Sequence, residues 1–244
     1  MYREAPPPTH LAGAVRCVWH STPDDRERAK NVVPDGCLDL IVGGGRVFVA
    51  GPDTRAWRPS AGGRSALHGI RFAPGHAPLV LGVAADELLD QRVALSELWG
   101  REGARAAERL LADPRGLPGL VASRLDGARP APEIALLLRR LDLGVPRVAD
   151  ATAGLGLSER ALRRRFTVAV GYGPATYLRV ARLQRAIAMA PHAGGLAALA
   201  VAAGYADQAH LSRDCRALTG STAAAWFGRS VQDGAMAPDL VSAP

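Results

Sequence analysis

Between Ser158 and Arg185 the chain places seven arginines, Arg160, Arg163, Arg164, Arg165, Arg179, Arg182 and Arg185, against one acid, Glu159. A guanidinium offers a planar fork of N–H donors that matches a phosphate or the O6/N7 edge of guanine. Concentrated on a helix, such charge reads either as a solvated face or as a phosphate-binding surface. A second group could do other chemistry. Cys37 stands beside Asp35 and Asp39, with His68 further along, which invites a nucleophile, metal or thiol-sensor reading. The spacing matches no metal pattern, with no CxxC, HxxxH or HxH. A cysteine between Gly36 and Leu38 at a strand start also reads as a small buried hydrophobe. Pro34-Asp35-Gly36 reads as a turn in which the aspartate bonds its own backbone. Trp19, Trp57, His68 and Arg71 are candidate lining for a pocket, since aromatic walls with one cation suit an organic anion. Gly43–Gly45 lacks the Lys-Ser/Thr of a phosphate loop and the spacing of a dinucleotide fingerprint.

The arginines belong to a 244-residue chain with a formal charge of +7, in which Lys30 is the only lysine. GC-rich coding explains the choice of arginine over lysine but not its placement. Residues 1–129 hold 17 cations and 15 acids, whereas residues 130–244 hold 13 and 8. A composition of 48% hydrophobic and 22% charged residues excludes a wholly disordered chain. Cys17, Cys37 and Cys215 are too few and odd in number for a disulfide framework, which points to a reducing cytoplasm. The longest apolar run, Gly194–Ala206, falls short of the ~18 residues of a membrane span, and MYREAPPPTH is no secretory leader.

The elements that must position these residues change character near ARPAP, 128–132. Upstream, Leu38–Val42 and Val47–Ala50 flank a glycine turn as a hairpin, and Ser65–Phe72 alternates as a half-buried strand. Helical patterns follow over Ala77–Ala84, Ala85–Gln91 and Glu97–Leu111. Downstream every segment reads as helix: Glu133–Asp142, Arg147–Ala153, Ser158 to about Val168, Pro174 to about Ala190, Leu196–Ala203, Asp207 to about Leu218, and Ser221–Phe227. Ser158, Asp207 and Ser221 are the expected N-caps. The fold class expected is α+β, a small antiparallel β domain with helices followed by an all-α domain.

Two segments of the helical half repeat. Gly156 and Gly204 are 48 positions apart, while Leu162/Leu211, Arg164/Arg213 and Phe166/Cys215 are each 49 apart. Short helix, glycine turn and capped second helix is the grammar of a helix-turn-helix, whose second helix lies in the major groove. The intervening helix of about 17 residues spans roughly 25 Å. That is of the order of one DNA turn, about 34 Å, so one chain could reach successive grooves.

Residues ~133–228 resemble the DNA-binding domain of AraC/XylS-type transcription regulators. The resemblance rests on GLSERALRRRF (156–166), G-x-x-P-x-x-Y-L-R (Gly171–Arg179), RLQRA (182–186) and AAGYADQAHLSRDCRALTG (202–220). Thr152, Gly154, Cys215 and Ala223 depart from the family pattern at packing positions. The resemblance implies a double helix-turn-helix over 130–230, with DNA contacts from Arg160, Arg163, Arg164, Gln208, Ala209, His210, Ser212 and Arg213. His210 is equally open to a structural role. Ser158, Arg179 and Arg182 are candidates for phosphate, though the linker-helix arginines read equally as a solvated face. Residues 1–129 are similar to an uncharacterised domain paired with such modules, through Pro34–Cys37, Gly51–Arg55, His68–Phe72 and Leu95–Gly100. By analogy this half senses a small molecule or holds a homodimer, and 231–244 is a flexible tail. The implied protein is a cytoplasmic activator, not an enzyme, without a cofactor, whose partners are double-stranded DNA, RNA polymerase and an effector. A DNA-targeted enzyme or thiol sensor using Cys37, and a ligand-independent DNA-binding protein, are the alternatives.

Overall fold

A computed structural model describes residues 1–22, 31–57 and 65–232. Most of the expected tail, 233–244, lies outside the described residues. The N-terminal part is one antiparallel sheet of strands β1 (Tyr2–Ala5), β2 (Val15–Ser21), β3 (Asp39–Gly43), β4 (Arg46–Ala50), β5 (Leu67–Phe72) and β6 (Arg92–Ala94). Their order is β1-β2-β5-β3-β4-β6. The expected hairpin is β3–β4, with Val42 opposite Val47 and Gly43 opposite Arg46, so Gly44-Gly45 forms the turn.

The period of two sorts the sheet into two faces. Leu40, Val42, Val47, Val49, Ile70 and Phe72 share a core with helices α1 (Ala77–Leu81), α2 (Leu95–Ala112) and α3 (Leu117–Leu125). The other face gathers Cys17, Trp19, Ile41, Phe48 and Ala50, with Tyr2 and Leu67 against them.

Several sequence expectations are corrected here. Residues 85–91 do not form a helix: a single 3-10 turn over Ala85–Leu88 leads directly into β6. Helix α1 stops at Leu81 because Gly82 takes a left-handed conformation. Strands β1, β2 and β6 and helix α3 were not anticipated.

The C-terminal part contains α4 (Pro132–Asp142), α5 (Val148–Thr152), α6 (Glu159–Val170), α7 (Pro174–Met189), α8 (Leu196–Ala202), α9 (Gln208–Thr219) and α10 (Ala223–Gln232). Leu137, Leu141, Phe166, Leu183, Leu199 and Leu211 are fully enclosed in its core. Ser221 is not the cap of α10. Thr222 is, its Oγ1 accepting from Ala225 N at 3.2 Å, while Ser221 N donates to Thr219 Oγ1.

The two parts are packed together around the turn between α6 and α7. Val33 and Leu89 lie against the helical core, and Gln184 Nε2 donates to Pro34 O at 2.6 Å. The Asp35 turn forms as expected, Cys37 N donating to Asp35 Oδ1 at 2.9 Å. Gly36 (φ +83°) lies so close to α7 that a Cβ there would stand 2.8 Å from Tyr177 Cε2. Gly171 ends α6 at φ +101°, and a Cβ there would stand 2.3 Å from Pro52 Cγ. Both glycines therefore answer two demands, a left-handed backbone and a close approach of two elements.

Candidate nucleic-acid interface

Helices α6 and α9 are built to one plan, displaced by 49 residues. Ser158 Oγ accepts from Ala161 N at 3.3 Å and Asp207 Oδ1 accepts from His210 N at 2.6 Å, satisfying backbone donors that helix starts leave free. Each helix runs 12 residues and ends on a left-handed glycine, Gly171 or Gly220. The buried stripes are Leu162, Phe166 and Val170 in α6 and Leu211, Cys215 and Leu218 in α9. Cys215 thus does the packing work of Phe166, with its thiol 3.6 Å from Thr219 Oγ1.

Burial of those stripes turns the arginines outward. Arg160, Arg163 and Arg164 are exposed on α6, and Gln208, Ala209 and Arg213 on α9, with His210 and Ser212 half-buried. None of Arg160, Arg163, Arg164 and Arg213 has a hydrogen-bond or ion-pair partner among the described residues. Arg165 behaves differently: its Nη1 donates to Glu133 on α4, away from the neighbouring Arg164. Glu133's own backbone amide, and then Arg165, hold its carboxyl below the usual range.

The linker helix α7, 16 residues long, spans roughly 24 Å. Its arginines are engaged with protein. Arg179 Nε donates to Asp214 Oδ1 at 2.9 Å, across to α9. Arg182 Nη2 donates to Pro146 O at 2.6 Å, and Arg185 Nη1 reaches Leu141 O and Asp142 O, each at 3.3 Å. These contacts tie α7 to both units, and they come before any phosphate contact by Arg179 or Arg182. Ser158 is similarly occupied as a cap. His210 is also woven into the structure. Its ring stands edge-on to Tyr205 with centroids 5.1 Å apart, Nδ1 accepts from Ala206 N at 3.5 Å, and Nε2 lies 3.8 Å from Asp214 Oδ2. Asp214, which accepts from Arg179 and lies beside His210 while almost fully buried, was not singled out from sequence. Its position between exposed Arg213 and buried Cys215, on the inward side of α9, was the available signal.

The four residues proposed as a pocket do not converge. Trp19 and Arg71 meet through Asp39: Trp19 Nε1 donates to Asp39 Oδ1 at 2.6 Å, and Arg71 Nε donates to Asp39 Oδ2 at 3.4 Å. Arg71 also pairs with Glu4 at 3.2 Å and Asp35 at 3.3 Å. Three carboxylates therefore surround one buried guanidinium, which leaves it no free charge for an organic anion. Burial pushes the Asp39 carboxyl up against the pull of Arg71. His68 lies on the opposite face of β5, stacked on His20 at 6.3 Å. Trp57 is elsewhere, under the Arg92 guanidinium at 4.2 Å, and its Nε1 donates to Asp53 Oδ2.

Cys37 is buried, with Arg16 Nη1 3.4 Å from its sulfur. Burial, reinforced by Asp35, raises its thiol well above the ordinary range despite Arg16. A reactive thiol needs the opposite environment, exposed and with a depressed pKa.

Residues 151–229 match a family described as a helix-turn-helix domain. The matched part of the C-terminal half is a helix-turn-helix domain. Residues 3–94 match a family described as a domain of unknown function. The helix-turn-helix match thus runs from the end of α5 into α10, and the second match runs from within β1 to the end of β6. Among solved structures, ToxT from Vibrio cholerae O395 aligns at 9% identity over 86% of this chain and 95% of that one, with a TM-score of 0.41. A 1.65 Å structure of ToxT from Vibrio cholerae aligns at 7% identity over 93% and 98%, with a TM-score of 0.44. No curated protein matches the chain. No helix among the described residues is long and apolar enough to cross a membrane.

Proposed function

We propose that this chain is a sequence-specific, DNA-binding transcription regulator and not an enzyme. The observation that carries the reading is the pair of equivalent capped helices, α6 and α9, each turning outward arginines that are unpaired among the described residues, while α7 fixes their separation. In this reading Arg164 and Arg213, the repeat-equivalent pair, donate in bidentate fashion to guanine O6 and N7. Arg160 and Arg163 flank the first site. Gln208 suits the N6/N7 edge of adenine, and Ala209 and Ser212 line the same face. His210 orients α9 through Asp214 and Tyr205, with base contact a secondary role. Ser158, Arg179 and Arg182 meet backbone phosphates with whatever donors their protein contacts leave free.

The division near Pro130 gives residues 1–129 the sensing or dimerising role and residues 130–230 the DNA-binding role. Gln184–Pro34 and Gly36–Tyr177 join the two directly, so a change in the sheet domain reaches α7 without an intermediary. An activator contacting RNA polymerase in the cytoplasm, answering a small molecule through the N-terminal domain, completes the proposal.

Selection of binding sites from random duplex DNA by the full chain tests it. A convergent site with two half-sites on one face of the duplex is the expected result. Recovery of unenriched DNA, with the protein folded, contradicts it.

A further inference from the structure

The far end of α9 meets the sheet domain in a way that the helix-turn-helix alone does not explain. Ala56 N donates to Leu218 O at 2.6 Å, so the segment leading to Trp57 is anchored on the carbonyl end of the second recognition helix. Beside this bond lies an open cleft of about 520 Å³ lined by Arg55, Ala56, Arg216, Ala217, Thr219 and Gly220. Both arginines are exposed, and neither has a hydrogen-bond or ion-pair partner among the described residues.

The neighbouring acids are already taken. Asp53 accepts from Arg92 and from Trp57 Nε1, and Asp90 accepts from Thr54 N and Oγ1, both at 2.7 Å. The carbonyls that would draw cations to the end of α9 are also partly satisfied, Leu218 O by Ala56 and Arg216 O by Gly220 N. Two like charges therefore face one cleft with no counterion among the described residues. Arg216 follows Ala209 and Arg213 at helical spacing, on the same exposed stripe of α9.

We propose that Arg55 and Arg216 together hold a DNA backbone phosphate at the edge of the groove read by α9, making the N-terminal domain a direct contributor to DNA affinity. Continuity with the Arg213 stripe favours the phosphate of a bound duplex over a free anion. The inference rests on the DNA-binding reading above. Phosphate contacts carry no sequence information but set affinity and its dependence on salt.

The test is fluorescence anisotropy of the full chain on its selected duplex and on a scrambled duplex, between about 50 and 200 mM salt, for wild type, Arg55→Ala, Arg55→Lys and Arg216→Ala. Each alanine variant is expected to weaken both duplexes equally and to lose about 3.5-fold less affinity than wild type over that salt range, the effect of one phosphate contact removed. Arg55→Lys restores most of the salt dependence. Unchanged affinity and salt dependence in Arg55→Ala and Arg216→Ala, while wild type binds its site, overturn this inference and leave the reading beneath it standing. The same holds if inorganic phosphate raises the Tm of wild type but not of the variants while DNA binding is unaltered, because the cleft then takes a free anion. Absence of any specific binding by wild type overturns both.

Discussion

At the scale of single residues, the decisive contrast is between arginines with and without protein partners. Arg165, Arg179, Arg182 and Arg185 sit in the same basic tract as Arg160, Arg163 and Arg164, yet each is bonded to a neighbouring helix or carbonyl. Arg164→Ala and Arg213→Ala should each cost about 1–3 kcal/mol of specific binding and relax discrimination at one base position, as measured by competition against single-base variants of the selected site. Asp214→Ala should act otherwise. It removes a charge-assisted bond and lowers folding stability by about 1–3 kcal/mol, read from urea unfolding, with loss of affinity following from a displaced α9. A third residue reports on pH. Burial pushes the Asp53 carboxyl up to about 6, in spite of Arg92 and Trp57. The folded state then holds this proton more tightly than the unfolded chain, so the contribution is complete below about pH 4 and is lost as pH rises through about 6. Asp53→Asn should reduce the fall in stability between those values, seen as a urea midpoint that declines less than that of wild type across the window.

At the scale of elements, caps and turns were legible and short strands were not. Ser158, Asp207, Gly171 and Pro174 mark the boundaries of α6, α7 and α9 because capping chemistry is local and residue-specific. The β3–β4 hairpin was equally plain from its glycines and flanking apolar runs. Strand β6 has only three residues, too few to show alternation, and β1 is a four-residue strand at the sheet edge. In β2 the consecutive apolar residues Cys17, Val18 and Trp19 hide the alternation, because Cys17 and Trp19 pack on one face of the sheet and Val18 on the other. Helix α3 hides behind Pro118 and Gly119, which read as breakers although proline is tolerated in a first turn. The candidate DNA face was visible because a repeat of 49 residues aligned one arginine on another. The Asp214 clamp and the Arg55–Arg216 cleft were not, since both depend on neighbours distant in sequence. The α6–α7 turn offers an element-scale prediction. Gly171→Ala should lower stability by more than about 1–2 kcal/mol, from the left-handed backbone alone and further from the approach of Pro52, as read from thermal or urea unfolding.

For the whole molecule, the two parts share an interface on the α6–α7 turn, on α7 itself and at the end of α9. The sheet domain therefore touches both helix-turn-helix units and the helix between them, through Pro52 at the end of α6, Gly36 on α7 and Ala56 on α9. The formal charge of +7 gains meaning only from this arrangement. Its excess is carried mainly by the C-terminal half, where Arg160, Arg163, Arg164 and Arg213 on α6 and α9 face outward, while many others fasten the fold. The central claim is that α6 and α9 read two half-sites from one rigid frame. It is tested most directly by inserting about five base pairs, half a helical turn, between the half-sites of the selected duplex and measuring affinity. The account predicts that binding falls to the level of scrambled DNA and recovers when about ten base pairs, a full turn, separate an added half-site on the original face. Equal affinity for the original and the half-turn duplex would contradict it.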